Sequence, residues 1–251
     1  MPVTVEARGH ATIVTLRWPE RRNALGPSQA REVGEAIEMA TKTAHSGLVV
    51  TGEGAFSAGG DLEQLVQMSE SESVDTVRSG IYDNFYSIVR ALRDCPVPTC
   101  AAVDGPAVGL GFDISVIADI CLVGTGGWLQ QGWASVGLIH GTGGLGFLGG
   151  MSSAAVWKLI AEQRRLDGDM VSSLGLGEGV EGSALEAAVE LVERLASLPR
   201  HVLGAYVSLQ RSVRWPSEEF FESSVDNQAR FICSEAFRRQ ASQILEARRK
   251  R

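Results

Sequence analysis

The sequence predicts an α/β domain with a helical C-terminal extension, and three observations carry that prediction. Short apolar runs at residues 47–51, 99–103 and 120–123 alternate with stretches of helical periodicity. Glycine-rich loops follow two of these runs, and each loop opens a helical pattern. After residue 150 the patterns are helical. Length alone, 251 residues, does not choose between one large domain and a domain with a small appendage.

Residues 3–8 and 11–17 alternate apolar and polar around Gly9-His10, the pattern of an opening hairpin with His10 as a turn residue. Trp18 to Leu25 interrupt the alternation, and Gly26-Pro27 start a helix with proline at its first position. Val33, Ile37 and Ala40 give that helix one apolar stripe. The run at 47–51 enters a loop with four glycines, Gly52, Gly54, Gly59 and Gly60, before Leu62, Leu65 and Val66 resume a helical period. The Ser- and Glu-rich stretch 68–76 reads as a mobile surface loop.

Ile81, Phe85, Ile88 and Leu92 mark the next helix, which Pro96 and Pro98 end. Residues 99–103 are a short buried strand, and Asp104-Gly105-Pro106-Ala107-Val108-Gly109-Leu110-Gly111 repeats the sequence of strand, glycine loop and helix. Helices are expected at 152–162, 183–197, 200–211 and 217–247. The last has Ser217 as N-cap and Phe221, Val225, Ile232 and Ala236 on its apolar face.

Composition narrows the function classes. With 44% hydrophobic and 21% charged residues the chain suits a soluble globular enzyme. A net charge of −7 speaks against a nucleic-acid partner, and the one strongly basic cluster, Arg248-Arg249-Lys250-Arg251, reads as a solvated tail. Cys95, Cys100, Cys121 and Cys233 form no C-x-x-C pair, so reduced thiols in a cytoplasmic protein are expected. No apolar stretch reaches the ~18 residues of a membrane span, and the first residues lack a signal-peptide pattern.

Glycine loops at helix starts offer unpaired backbone N–H groups, and the absence of Cβ atoms lets a ligand come close. Such a loop suits a phosphate, a carboxylate or a developing oxyanion, or is simply a turn that needs glycine. Two loops on neighbouring strands aim donors at one point, the geometry of an oxyanion hole. Asp113 lies about one helical turn beyond Leu110 and places a carboxylate nearby, or else is an acid favoured by the helix dipole.

Several stretches together resemble the crotonase, or enoyl-CoA hydratase/isomerase, superfamily. They are Arg21-Arg22-Asn23-Ala24-Leu25, Phe56-Ser57-Ala58-Gly59-Gly60-Asp61-Leu62, Ala102-Val103-Asp104-Gly105-Pro106-Ala107-Val108-Gly109-Leu110-Gly111, Ala118-Asp119-Ile120 and Gly137-Leu138-Ile139-His140-Gly141-Thr142-Gly143-Gly144. The resemblance runs from about residue 14 to about 167 and more weakly beyond. It implies a spiral of ββα turns forming two near-perpendicular sheets over residues 1–195, and a C-terminal helical trimerisation region over 196–251. It also implies homotrimers or dimers of trimers and an acyl-CoA thioester ligand, with no cofactor beyond the substrate's coenzyme A and no metal.

Carried over by position, the oxyanion donors are the N–H groups of Gly60 and Leu110. Substrate and CoA contacts fall on Arg22, Ala24, Leu25, Ala58, Gly59, Asp61, Leu62 and Gly109.

Two departures bear on the reaction. Hydratases of this family use two glutamates; the first position here is Asp113 and the second is Trp133. Tryptophan neither activates water nor returns a proton, so the two-carboxylate mechanism is broken and Trp133 is expected to wall the acyl pocket. Either Asp113 works alone or another residue compensates. His140, where the family usually has proline, is the candidate, the alternative being a loop histidine bonded to backbone.

The resemblance thus implies isomerisation or other one-carboxylate chemistry on an acyl- or enoyl-CoA through a stabilised enolate. The alternative is a catalytically degenerate acyl-CoA binding protein. A competing motif, Gly141-Thr142-Gly143-Gly144-Leu145-Gly146, matches G-x-G-x-x-G but lacks the buried strand a dinucleotide site needs before it.

Overall fold

The computed structural model describes residues 2–249, without the side chains of Arg248 and Arg249, so the solvated-tail reading of Arg248-Arg249-Lys250-Arg251 lies outside the described residues. β1 (Val3–Arg8) and β2 (Ala11–Leu16) form the expected antiparallel hairpin, turning at Gly9 with φ +58°. His10 in that turn holds Glu193 through its backbone N–H and ring Nδ1. α1 (Pro27–Thr43) then carries the chain to β3 (Gly47–Gly52), parallel to β2. Proline at its first turn starts α1, and Ala30, Val33, Ile37 and Ala40 bury its inner stripe.

The sheet continues in parallel through β4 (Thr99–Val103), β6 (Ile120–Val123) and the two-residue β8 (Glu178–Gly179). Its order is β1-β2-β3-β4-β6-β8, and a second sheet joins β5 (Pro106–Val108) to β7 (Trp128–Gln130). Side chains alternate between the two faces of the large sheet with the period of two. Val14, Leu16, Leu48, Val50, Ala101 and Val103 join the main core with α1, α4 (Tyr86–Arg93) and α5 (Leu110–Ile117). On the reverse face Ile13, Val49, Cys100, Ala102 and Leu122 meet Ala184, Ala188 and Val192 of α8 (Ala184–Leu195). Burial on both faces explains why these strands read as continuous apolar runs.

The structure corrects several local expectations. The stretch 68–76 is not a loop: α2 (Leu62–Ser71) runs through its first half and α3 (Val74–Gly80) through the rest. Ser73 caps α3 by accepting from Thr76 N, Val77 is fully buried, and Arg78 pairs with the distant Asp226, so one apolar anchor and one ion pair hold a largely polar helix. A π-helical turn at Ile81–Phe85 joins α3 to α4. The helix expected at 217–247 is two, α10 (Glu218–Ile232) and α11 (Glu235–Arg249), and the break shifts the phase so that Phe237 is buried and Ala236 exposed. α6 (Ser153–Glu162), α8 and α9 (Arg200–Arg214) fall where expected, whereas α7 (Gly168–Ser173), capped by Asp167, escapes sequence periodicity.

α10 packs on α3 and α2, and α11 on α2 and the turn Ala134–Val136, so the C-terminal helices fold back over the glycine loops. Buried Arg211 of α9 holds Asp119 and the carbonyls of Arg93, Cys95 and Val97. Arg214 donates to the carbonyls of Val116, Ile117 and Ala118 at the end of α5, a favourable place for a cation at a helix C-terminus. Burial lowers the Arg214 pKa, and Asp119 opposes that shift. Cys95, Cys100 and Cys121 are buried free thiols; burial raises all three, Cys121 to about 12. Among the described residues no helix is long and apolar enough to cross a membrane.

Candidate active site

The first glycine loop is set by residues before it in sequence. A 3-10 turn at Pro19–Arg21 ends with Arg22 and Asn23 both left-handed, at φ +52° and +55°. Asn23 tolerates that conformation better than most side chains, and here it is fully buried. Its Oδ1 accepts from Trp18 N at 2.7 Å and its Nδ2 donates to Ala55 O at 2.6 Å. Ser57 Oγ donates to Asn23 O at 2.7 Å and accepts from Gly59 N at 3.1 Å.

Leu25 then pairs with the loop as a parallel bridge: Leu25 N donates to Gly59 O and Asp61 N donates to Leu25 O. Gly60, between those two, has its N–H turned away from Leu25. Asp61 caps α2 by accepting from Gln64 N and forms an ion pair with Arg21, so a protein carboxylate already occupies that helix start.

The second loop is stitched to the first. Ser57 N donates to Pro106 O at 3.0 Å and Val108 N to Ser57 O at 2.9 Å. Gly109 N donates to Gln130 O at 3.0 Å, and its φ of +56° delivers Leu110 as the first residue of α5, whose N–H has no intrahelical acceptor. The approach is close: a Cβ added to Gly59 would lie 2.5 Å from Val108 O and 3.3 Å from Leu110 N. Neither the Gly60 nor the Leu110 N–H has an acceptor among the described residues.

One turn along α5, Asp113 has no exposed surface. Its Oδ1 accepts from His140 Nδ1 at 2.6 Å and from Trp133 Nε1 at 3.2 Å, and its Oδ2 accepts from Thr142 Oγ1 at 2.7 Å. Trp133 has a second contact surface. Its ring lies 3.7 Å from a Cβ added to Gly109 and 4.0 Å from one added to Gly60, ordinary van der Waals contact, so the indole packs beside both glycines, and it is the φ of +56° that calls for glycine at 109. His140 does not bind backbone as a loop histidine would; it pairs with the carboxylate, and its Nε2 is buried without a partner.

Three cavities meet at Gly60. An apolar recess of about 20 Å³, room for a single water-sized body, is lined by Gly60, Leu65, Phe85, Leu110, Trp133 and Thr142 among others. A chamber of about 260 Å³ opens beside it between Gly59, Gly60, Gly109, Trp133, Leu138 and Ile244. A surface groove of about 800 Å³ runs outward past Arg21, Arg22, Ala24, Ala58, Asp61 and Leu62 to Leu245 of α11.

The residues expected at the site therefore separate into layers. Gly60, Leu110 and Trp133 wall the recess; Ala58, Gly59, Leu62 and Gly109 wall the chamber; Arg22, Ala24 and Asp61 face the groove. Leu25 is fully buried and contributes only its backbone bridge, and Asp113 and His140 stand behind the wall rather than on it. Sequence reasoning missed Asn23, Thr142, Gln228 and Ile232. The last two sit on α10 and reach the recess from far along the chain, with no local motif to mark them. Thr142 does stand in a conspicuous glycine run. The dinucleotide alternative for that run fails, because residues 131–143 form a loop and a 3-10 turn with no strand leading into the glycines.

A mostly parallel sheet carrying two adjoining glycine loops, with helices folded back over them, is the architecture of a crotonase-like protein. A solved enoyl-CoA hydratase/isomerase from Mycobacterium paratuberculosis superposes with a TM-score of 0.86 at 24% identity, covering 96% of this chain and 98% of that one. An enoyl-CoA hydratase from Bacillus halodurans gives 0.87 at 19% identity over 97% and 100% of the two chains. The family model for enoyl-CoA hydratase/isomerase matches residues 6–251, and the chain belongs to that family, which acts on CoA thioesters. A Mycobacterium tuberculosis protein named probable enoyl-CoA hydratase is 31% identical over 223 residues, 86% of this chain and 83% of its own. A 4-chlorobenzoyl coenzyme A dehalogenase from Arthrobacter is 26% identical over 92% of this chain and 84% of its own.

Proposed function

We propose that this protein binds an acyl- or enoyl-CoA with its thioester carbonyl at Gly60 and Leu110 and reacts it through a stabilised enolate. The observation that carries the reading is the meeting of groove, chamber and recess at Gly60, beside two unpartnered N–H groups. A thioester joins a long polar nucleotide to an acyl chain, and this is the one point from which the two parts can diverge. Each hole donor contributes about 3 kcal/mol where charge develops on the oxygen. Arg22, exposed and without an ion-pair partner among the described residues, suits the phosphates in the groove, with Ala24 and Asp61 beside it.

Asp113 supplies the single carboxylate and Trp133 fills the second acid's position, so isomerisation or another one-carboxylate reaction is favoured over hydration. No cofactor beyond the CoA of the substrate is required for such chemistry. The chain is proposed to work in the cytoplasm as a homotrimer or dimer of trimers, with residues 196–251 as the assembling region.

A second reading is favoured by one feature: Asp113 is sealed and takes three donors, as in a structural acid. In that reading the protein binds acyl-CoA without converting it. A panel of enoyl-CoAs followed by mass spectrometry separates the two. Isomerised product without water addition supports the enolate enzyme, a hydrated product removes the one-carboxylate assignment, and binding without conversion establishes the degenerate binder.

A further inference from the structure

We propose that Thr142 is the side chain this site presents to the reacting carbon, its hydroxyl relaying a proton between substrate and Asp113. The inference rests on the thioester reading above. Asp113 does not line the recess or the chamber, and its Oδ1 is fully engaged. His140 and Trp133 both donate to that oxygen, and Gly144 packs so near it that an added Cβ would come within 2.4 Å. The other oxygen holds Thr142 Oγ1 at 2.7 Å. Thr142, 3% exposed, lines the same recess as Gly60 and Leu110. A hydroxyl that donates to a carboxylate keeps lone pairs free to accept, so Thr142 joins the buried acid to the cavity.

The glycines around it serve this placement. Thr142 is the one side chain between His140 and Leu145. A Cβ on Gly141 would fall 2.4 Å from Gln228 Cγ, and one on Gly143, at φ +86°, would fall 2.3 Å from the Phe221 ring. The loop thus lies flat against α10 on both sides of the threonine. His140 is a positioning residue in this arrangement. An ionised carboxylate only accepts, so Nδ1 carries the hydrogen, Nε2 is the bare nitrogen, and the ring fixes Oδ1 while Oδ2 faces Thr142.

In the forward step the α C–H bond breaks and its electron pair enters the bond to the carbonyl carbon. The thioester oxygen takes the negative charge between the Gly60 and Leu110 N–H groups. Thr142 Oγ1 accepts the proton as its own hydrogen passes to Asp113 Oδ2. Reversal returns a proton to carbon, at the same atom or across a conjugated double bond, and no other reactant is consumed.

The test is deuterium uptake from D2O into 3-butenoyl-CoA, read by mass spectrometry, with CoA binding measured by calorimetry. Wild type is expected to label the substrate or to isomerise it to 2-butenoyl-CoA, separated by chromatography; neither labelling nor isomerisation overturns the enolate reading and the relay with it. Thr142→Val is expected to slow labelling by about 10²- to 10⁴-fold with CoA binding unchanged, and Thr142→Ser to stay within about tenfold of wild type. Labelling by Thr142→Val at the wild-type rate overturns the relay alone and leaves the enolate standing, as does an acyl group found covalently on Thr142. If the valine variant also loses CoA binding, the wild-type rate of α-proton abstraction as a function of D2O fraction decides. The carbon-bound hydrogen does not exchange with solvent, so a rate that falls linearly with D2O fraction, from the one hydroxyl hydrogen in flight, supports the relay, and a rate independent of D2O fraction overturns it.

Discussion

Asp113 and Trp133 come from distant stretches of sequence and meet in one hydrogen bond. The sequence places a carboxylate one turn past Leu110 and an indole where the family's second acid would stand, and the proposed one-carboxylate chemistry follows from that. The indole's other role is not legible, because it depends on where Nε1 points: a buried tryptophan N–H needs an acceptor, and Asp113 Oδ1 provides it. The same holds for His140, whose partner lies 27 positions away on another element. If Asp113 is the base, removing its charge without changing its size disables the chemistry and spares the groove. Asp113→Asn is therefore expected to lower turnover of an enoyl-CoA by about 10²- to 10⁴-fold with CoA affinity nearly unchanged in calorimetry. Turnover at the wild-type level would remove Asp113 from the mechanism.

At the level of elements, β2, β3, β4, β6 and α1 were readable because burial on one or both faces imprints a period on the sequence. β5, β7 and β8 were not, since strands of two or three residues carry no period. α3 was hidden for a related reason: one buried valine, a serine cap and the distant Arg78–Asp226 ion pair hold it, and its remaining residues look like loop. The break between α10 and α11 uses neither glycine nor proline; Ser234 starts the second helix by accepting from Phe237 N at 3.2 Å.

α5 carries the most of the proposed function, since its first residue is a proposed hole donor and its end is held by α9. Arg211 anchors α9 through Asp119 and three carbonyls that no shorter or unforked side chain reaches together. Arg211→Met leaves Asp119 buried without its cation and strips those carbonyls of a donor. A loss of about 3 to 5 kcal/mol is expected, read as a lower urea midpoint with unchanged slope. Arg211→Lys is expected to recover less than half of it; full recovery would show that charge rather than the fork holds the helix.

The whole molecule joins a core that sequence describes well to a C-terminal region whose helices were foreseen but whose packing was not. α10 and α11 return to α2 and α3, and α10 contributes Gln228 and Ile232 to the recess, a closure visible only in three dimensions. α9 differs from them. Its inner face buries Leu203 and Val207, while Tyr206, Leu209 and Val213 on the other side are 64%, 68% and 89% exposed. Their spacing of three and four residues puts them in one stripe, and an apolar stripe of that extent left to water disfavours a monomer. If residues 196–251 assemble the proposed trimer, this stripe is where the contact forms. Light scattering is then expected to give a mass of three or six chains for the wild type. The double variant Leu209→Glu with Val213→Glu should reduce it toward one chain, because a carboxylate buried without a partner is costly. Both substitutions sit on the outer face of α9, away from Arg211 and the glycine loops, so circular dichroism should be unchanged. A mass that stays multimeric in the double variant would place the contact on another surface, and a wild type that is monomeric would remove the assembling role of α9 altogether.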